Sequence, residues 1–173
     1  RELEAIPEKV EEILKNQSKI QKLASQQFNK EKIFYIGRQF DSAICMECAL
    51  KLKEVSYMHS ESFAAGELKH GPIALVDPST LVVAVATQKA LFDKIASNIV
   101  EVQSRGAATM VITQDDTGYF SSCAEYVSIP AVDDAFAPLL SVIPAQLFAY
   151  YCSVLRGNDP DKPRNLAKSV TVE

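Results

Sequence analysis

The spacing of apolar and polar positions changes period several times along the chain. Ile6, Val10, Ile13, Leu14, Ile20 and Leu23 recur at near-helical intervals among Glu, Lys and Gln, with Pro7 where a first turn tolerates it. Residues 1–30 are therefore predicted as an amphipathic N-terminal helix, a linker or a packing arm onto a neighbouring domain. Lys32–Gly37 is short, β-branched and aromatic and ends in glycine, which reads as a strand. A helix is expected from near Phe40 or Asp41 to about Met58. Residues 81–86 are continuously apolar, as in a strand covered on both faces. A helix over 89–104 follows, with Leu91, Ile95, Ile99 and Val102 on one side and Gly106 just past its end. Ala108–Thr113 is the next buried strand, 114–122 a polar loop and 126–129 a last short strand. Residues 137–156 form an apolar helix with Pro138 in its first turn, Pro144 expected to kink it and Gly157 closing it.

Strands alternating with helices predict βαβ units, hence an α/β fold: a three-layer αβα sandwich around a mainly parallel sheet, spanning 31–157. Ligands of such sheets gather at the carboxyl ends of strands. Residues 158–173 hold Pro160 and Pro163 without periodicity, and by default would be a frayed terminus.

Composition narrows the function classes. The 173 residues suit one domain with a sizeable core. A net charge of −4 with no basic stripe argues against a nucleic-acid surface. The apolar runs are too short to span a bilayer, and the charged N-terminus is not a signal peptide, so no membrane partner is expected. A chain beginning with Arg1 is expected to be an excised piece of a longer one. Cys45 and Cys48 have C-x-x-C spacing, compatible with a redox pair or half a zinc site. Zinc would want two further ligands at matching spacing, and neither Cys123 nor Cys152 has a partner nearby. The pair falls on the apolar face of a predicted helix, where cysteine packs as a small hydrophobe. No metal or cofactor is expected, and the compartment should be reducing, the cytoplasm.

Candidate chemistry concentrates between Glu47 and Pro72. Glu47, Lys51 and Glu54 share one helix face by their i+3 and i+4 spacing, with Lys53 turned away. After the helix come Gly66, Glu67, Lys69, His70, Gly71 and Pro72. Ammonium, carboxylate and imidazole within one segment suit proton transfer on a small polar molecule. The plainer reading is a solvated ion pair worth ~0.2–0.5 kcal/mol. His59 reads as capping or packing at the helix end. The turn at 37–42 has one glycine and so is neither a dinucleotide fingerprint nor a P-loop; Arg38 could meet a phosphate, but Asp41 would repel it.

Three segments carry a resemblance: Ala-Leu-Lys-Leu-Lys-Glu at 49–54, Ala-Gly-Glu-Leu-Lys-His-Gly-Pro at 65–72, and Pro-Arg-Asn-Leu-Ala-Lys-Ser-Val-Thr-Val-Glu at 163–173. Together they strongly resemble the glutamine–fructose-6-phosphate aminotransferase (glucosamine-6-phosphate synthase) family. The likeness runs in order over essentially the whole chain and falls on the second of the two sugar isomerase (SIS) halves of that family's C-terminal domain. It implies a flavodoxin/Rossmann-like SIS fold and an enzyme that turns fructose 6-phosphate and glutamine-derived ammonia into glucosamine 6-phosphate, leaving glutamate. It implies Glu54 as the base moving a proton between C1 and C2, Lys51 assisting at the adjacent oxygens, and Lys168 forming a Schiff base with the sugar carbonyl. His70 would open the sugar ring, reaching the site of a neighbouring subunit, which makes a homodimer the expected assembly. The sugar phosphate would touch Lys51, Glu54, Ala167 and Lys168, with the tail folded over the site as a lid.

Chemistry agrees with these roles. A carboxylate can shuttle the proton of an ene-diol or enamine while an ammonium at i−3 stabilises developing charge. A Schiff-base lysine must lose its proton, which desolvation favours, and histidine both accepts and donates near neutral pH. Nothing here corresponds to the family's glutaminase domain or to its first SIS half, whose Ser/Thr-rich loops bind the phosphate. The chain alone is therefore expected to have little or no activity. The alternative is a non-catalytic SIS module that only binds a phosphosugar; it would need phosphate donors rather than a Lys–Glu pair and a lysine-bearing tail.

Overall fold

The computed structural model describes residues 1–114 and 117–166. Five parallel strands form one sheet in the order β2-β1-β3-β4-β5, from β1 (Lys32–Gly37), β2 (His59–Ala64), β3 (Thr80–Ala86), β4 (Ala108–Thr113) and β5 (Glu125–Ser128). The helices are α1 (Ile6–Lys15), α2 (Ser18–Gln27), α3 (Phe40–Ser56), α4 (Phe92–Gln103) and α5 (Ala137–Leu155).

Alternation along the strands sends side chains into two separate cores. Ile33, Tyr35, Leu81, Val83, Val85, Met110 and Ile112 face α1, α2, α3 and α5. Phe34, Ile36, Val82, Ala84 and Val111 face α4 and the segment joining β2 to β3. Period-2 geometry in a sheet buried on both sides requires this, and the three layers follow.

The amphipathic stretch expected over 1–30 is two helices broken at Asn16 and Gln17, and its buried Ile13, Ile20, Leu23 and Ala24 belong to this chain's own core rather than to a neighbouring domain. β2 lies where the sequence pattern predicts a helix end followed by loop. Its sequence, His-Ser-Glu-Ser-Phe-Ala, lacks a β-branched run because it is the edge strand, paired only with β1 (Lys32 with His59 through Gly37 with Ala64) and covered by α3. His59 thus opens a strand, exposed, 3.9 Å from Glu61 Oε1. A single 3-10 turn, Lys89–Leu91, precedes α4. α5, 19 residues at mean hydropathy 1.4, is long and apolar enough to cross a membrane, contrary to the expectation from run lengths. Leu140, Ala145, Phe148 and Cys152 are buried in the core shared with the sheet and α3.

Candidate active site

α3 sets the geometry. It leaves the carboxyl end of β1, runs back over the sheet and buries Cys45, Cys48, Ala49 and Leu52. Burial pushes the Cys48 and Cys152 thiols up to about 12 and Cys45 well above its ordinary range, so these cysteines pack as apolar groups. With that face committed inward, Glu47, Lys51 and Glu54 are left on the flank. Lys51 Nζ lies 2.7 Å from Glu54 Oε2 and 3.7 Å from Glu47 Oε1. Both members of the closer pair are half-buried, and the Glu54 hydrogen bond raises the Lys51 pKa, holding the ammonium charged.

α3 ends at Tyr57, whose left-handed φ of +58° turns the chain into β2. The tail comes back to this same point. Asn158 Nδ2 donates to Ser56 O at 3.4 Å, Arg164 N–H donates to Tyr57 Oη at 2.8 Å, and the Arg164 guanidinium stacks 4.1 Å above the Tyr57 ring. Between tail and helix lies a cleft of about 680 Å³ lined by Glu54, Val55, Pro160, Asp161, Lys162 and Leu166. The stretch expected to fray by default is thus tied to α3 at Asn158 and Arg164. Ala167 and Lys168 lie outside the described residues.

His70 is not part of this arrangement within one chain. It closes a 3-10 turn, Leu68–His70, whose Leu68 is buried in the α4-side core, whereas α3 packs on the opposite face. The sheet separates the imidazole from the Lys51–Glu54 pair. The crevice at the carboxyl ends of β1 and β3, where strand order reverses and ligands of such sheets usually sit, is filled from within. Asp41 accepts from Thr87 N at 2.9 Å and Thr87 Oγ1 at 2.6 Å; Gln88 Nε2 donates to Arg38 O at 3.1 Å, and Arg38 Nη2 to Asn98 Oδ1 at 3.1 Å. Asp41 thereby takes both donors of Thr87, whereas the buried Arg38 Nε has no partner among the described residues.

Sequence reasoning missed Tyr57, Asn158 and Arg164. The one local signal was an absence: a helix end turning into a strand with no Gly or Asn to take the left-handed position. Among the described residues no group of His, Cys, Asp and Glu is arranged to hold a metal ion.

A five-stranded 2-1-3-4-5 sheet with helices on both faces defines a doubly wound, flavodoxin-like α/β domain, here with a Lys–Glu ion pair beside a tail-lined cleft. The SIS domain model matches residues 28–156, and the chain belongs to the SIS domain family. It is 51% identical over 173 residues to a glutamine–fructose-6-phosphate aminotransferase (isomerizing) of Clostridium tetani, and 44% identical over 172 residues to that of Escherichia coli. Each alignment takes in 99% of this chain, and the chain spans 28% of the length of these curated relatives. The C-terminal domain of glucosamine-fructose-6-phosphate aminotransferase from Francisella tularensis superposes with a TM-score of 0.86 at 36% identity, covering 93% of this chain and 46% of that one.

Proposed function

We propose that this chain is the second SIS half of a glutamine–fructose-6-phosphate aminotransferase and carries the proton-transfer groups that make glucosamine 6-phosphate. The observation that carries the reading is the Lys51–Glu54 pair at 2.7 Å, with Glu54 facing the cleft beneath the tail. The amine of Lys168 condenses with the C2 carbonyl of fructose 6-phosphate, expelling water, and ammonia later displaces the lysine. Glu54 takes the C1 proton and returns it at C2, while the fixed ammonium of Lys51 stabilises negative charge on the neighbouring oxygens. His70, across the sheet from its own chain's pair, serves ring opening in a neighbouring subunit, which makes the working unit a homodimer in the cytoplasm. Phe40, Met46 and Leu50 are exposed on α3; exposed apolar side chains of this kind suit packing of the first SIS half, which would bring the phosphate site. The chain alone is accordingly inactive.

The test is Glu54→Gln in the full-length protein, assayed separately for glutamine hydrolysis and for sugar product. Glucosamine 6-phosphate formation should fall about 10²–10⁴-fold with hydrolysis retained. Survival of both activities would make the helix pair ordinary surface and end this reading.

A further inference from the structure

The turn that ends α3 gathers cations around one hollow. Tyr57 takes the left-handed position at φ +58°, and its N–H donates back to Lys53 O at 3.2 Å. Lys53 in the last helical turn and His59 at the start of β2 therefore border the same space. The returning tail closes the other side. Arg164 N–H donates to Tyr57 Oη at 2.8 Å, the Arg164 guanidinium lies 4.1 Å above the ring, and Asn165 follows at φ +61°. Together Lys53, Tyr57, Met58, His59, Arg164 and Asn165 line a cavity of about 390 Å³, within the ~300–1,000 Å³ of small-ligand sites.

Its lining is one-sided in charge. The chain carries a net −4, yet a lysine, an arginine and a histidine line this cavity and no carboxylate does. Glu61 is nearby, 3.9 Å from His59 Nε2. Lys51, two positions earlier, is paired with Glu54 and Glu47. Among the described residues, by contrast, neither Lys53 Nζ nor the Arg164 guanidinium has a hydrogen bond or an ion pair. The helix dipole favours a cation in the last turn of α3, and the Tyr57 ring favours one over its face. Neither contact neutralises a charge, and two cations in one cavity repel until an anion joins them. Stacking also fixes the guanidinium plane and leaves its N–H groups unspent, a geometry that matches two oxygens of a phosphate. The Asn165 amide adds two donors.

We propose that this hollow is a phosphate-binding site, which takes free phosphate or the phosphate of a small phosphomonoester between Lys53 and Arg164. It shares no lining residue with the cleft that holds Glu54 beneath the tail. The assignment uses only residues 53–59 and 164–165, so it stands apart from the isomerase reading.

The experiment uses the full-length protein as parent, Lys53→Glu and Arg164→Gln. Both side chains are exposed, and Arg164→Gln keeps the backbone N–H that meets Tyr57, so the fold should persist. Equilibrium dialysis with labelled inorganic phosphate, and separately with glucosamine 6-phosphate, counts sites per chain. The parent should bind one more phosphate per chain than Lys53→Glu, and Arg164→Gln should weaken that site about ten-fold or more. An extra site for both ligands assigns a phosphomonoester; an extra site for inorganic phosphate alone assigns free phosphate. A second measurement needs no variant. Acetylation of Lys53 in the parent, scored by peptide mass against the exposed Lys22, should slow about ten-fold when phosphate is at ten times its Kd. Equal site counts and affinities in all three proteins, or Lys53 acetylation indifferent to phosphate, overturns the assignment. Neither measurement passes through Glu54, so that failure would leave the isomerase reading intact.

Discussion

Replacing Tyr35 by phenylalanine removes one oxygen from the middle of the molecule. Tyr35 sits on β1 and is fully buried, and its hydroxyl has no hydrogen-bond partner among the described residues. Burial first, and then the nearby thiols of Cys48, Cys152 and Cys45, push the phenol pKa well above its ordinary value, so the group is a neutral, desolvated donor. Burying a hydroxyl without a partner costs ~1–3 kcal/mol. Phenylalanine keeps the ring contacts and opens a void of about 10 Å³, which at ~24 cal/mol per Å³ costs a few tenths of a kcal/mol. The net expectation is a gain of about 1–2 kcal/mol. For a domain of this length each kcal/mol moves Tm by about 2–4 °C, so Tyr35→Phe should melt roughly 2–8 °C higher. Calorimetry or urea unfolding of the two proteins side by side measures this. A lower Tm would refute the reasoning, because it would mean that the hydroxyl donates to one of the three thiols and contributes to stability.

Two further perturbations probe the closed crevice at the head of α3. A Cβ on Gly37 would lie 2.5 Å from Asp41 C, 2.6 Å from Asp41 O and 2.8 Å from Ser42 N, all backbone, so Gly37→Ala must displace the first turn of α3. A loss of about 2–4 kcal/mol is expected, at or beyond the upper end for overpacking, read as a lower urea midpoint; an unchanged midpoint would show that the turn yields freely. For Asp41, burial is the largest influence and raises the folded pKa above its ordinary value, against the lowering pull of the Thr87 hydrogen bonds. A carboxyl raised on folding contributes stability that is full below the unfolded pKa of about 4 and is lost as pH rises through the folded value. The parent's stability relative to Asp41→Asn should therefore decline as pH is raised from about 3.5 to 7. A difference independent of pH would contradict the shift.

Local pattern determined much of this molecule. β1, β3, β4 and the spans of α3, α4 and α5 follow from period and punctuation, because a buried parallel strand must be apolar throughout and a helix must repeat its apolar positions every three to four residues. The Lys51–Glu54 contact was legible for the same reason: i and i+3 on one helix meet whatever the rest of the chain does. Cys45 and Cys48 could be placed as packing residues because their helix positions coincide with buried Ala49 and Leu52. Tertiary structure decided the rest. β2 is an edge strand held by backbone pairing to a neighbour some 27 positions earlier, so its side chains need no strand signature. Only the two-faced sheet puts His70 opposite α3 although both lie within one 26-residue stretch, Glu47 to Pro72. The tail meets α3 through contacts between residues about a hundred positions apart, Asn158 with Ser56 and Arg164 with Tyr57. Contacts at that separation leave no period in the sequence, since what selects them is the fold that brings the two segments to one end of a helix.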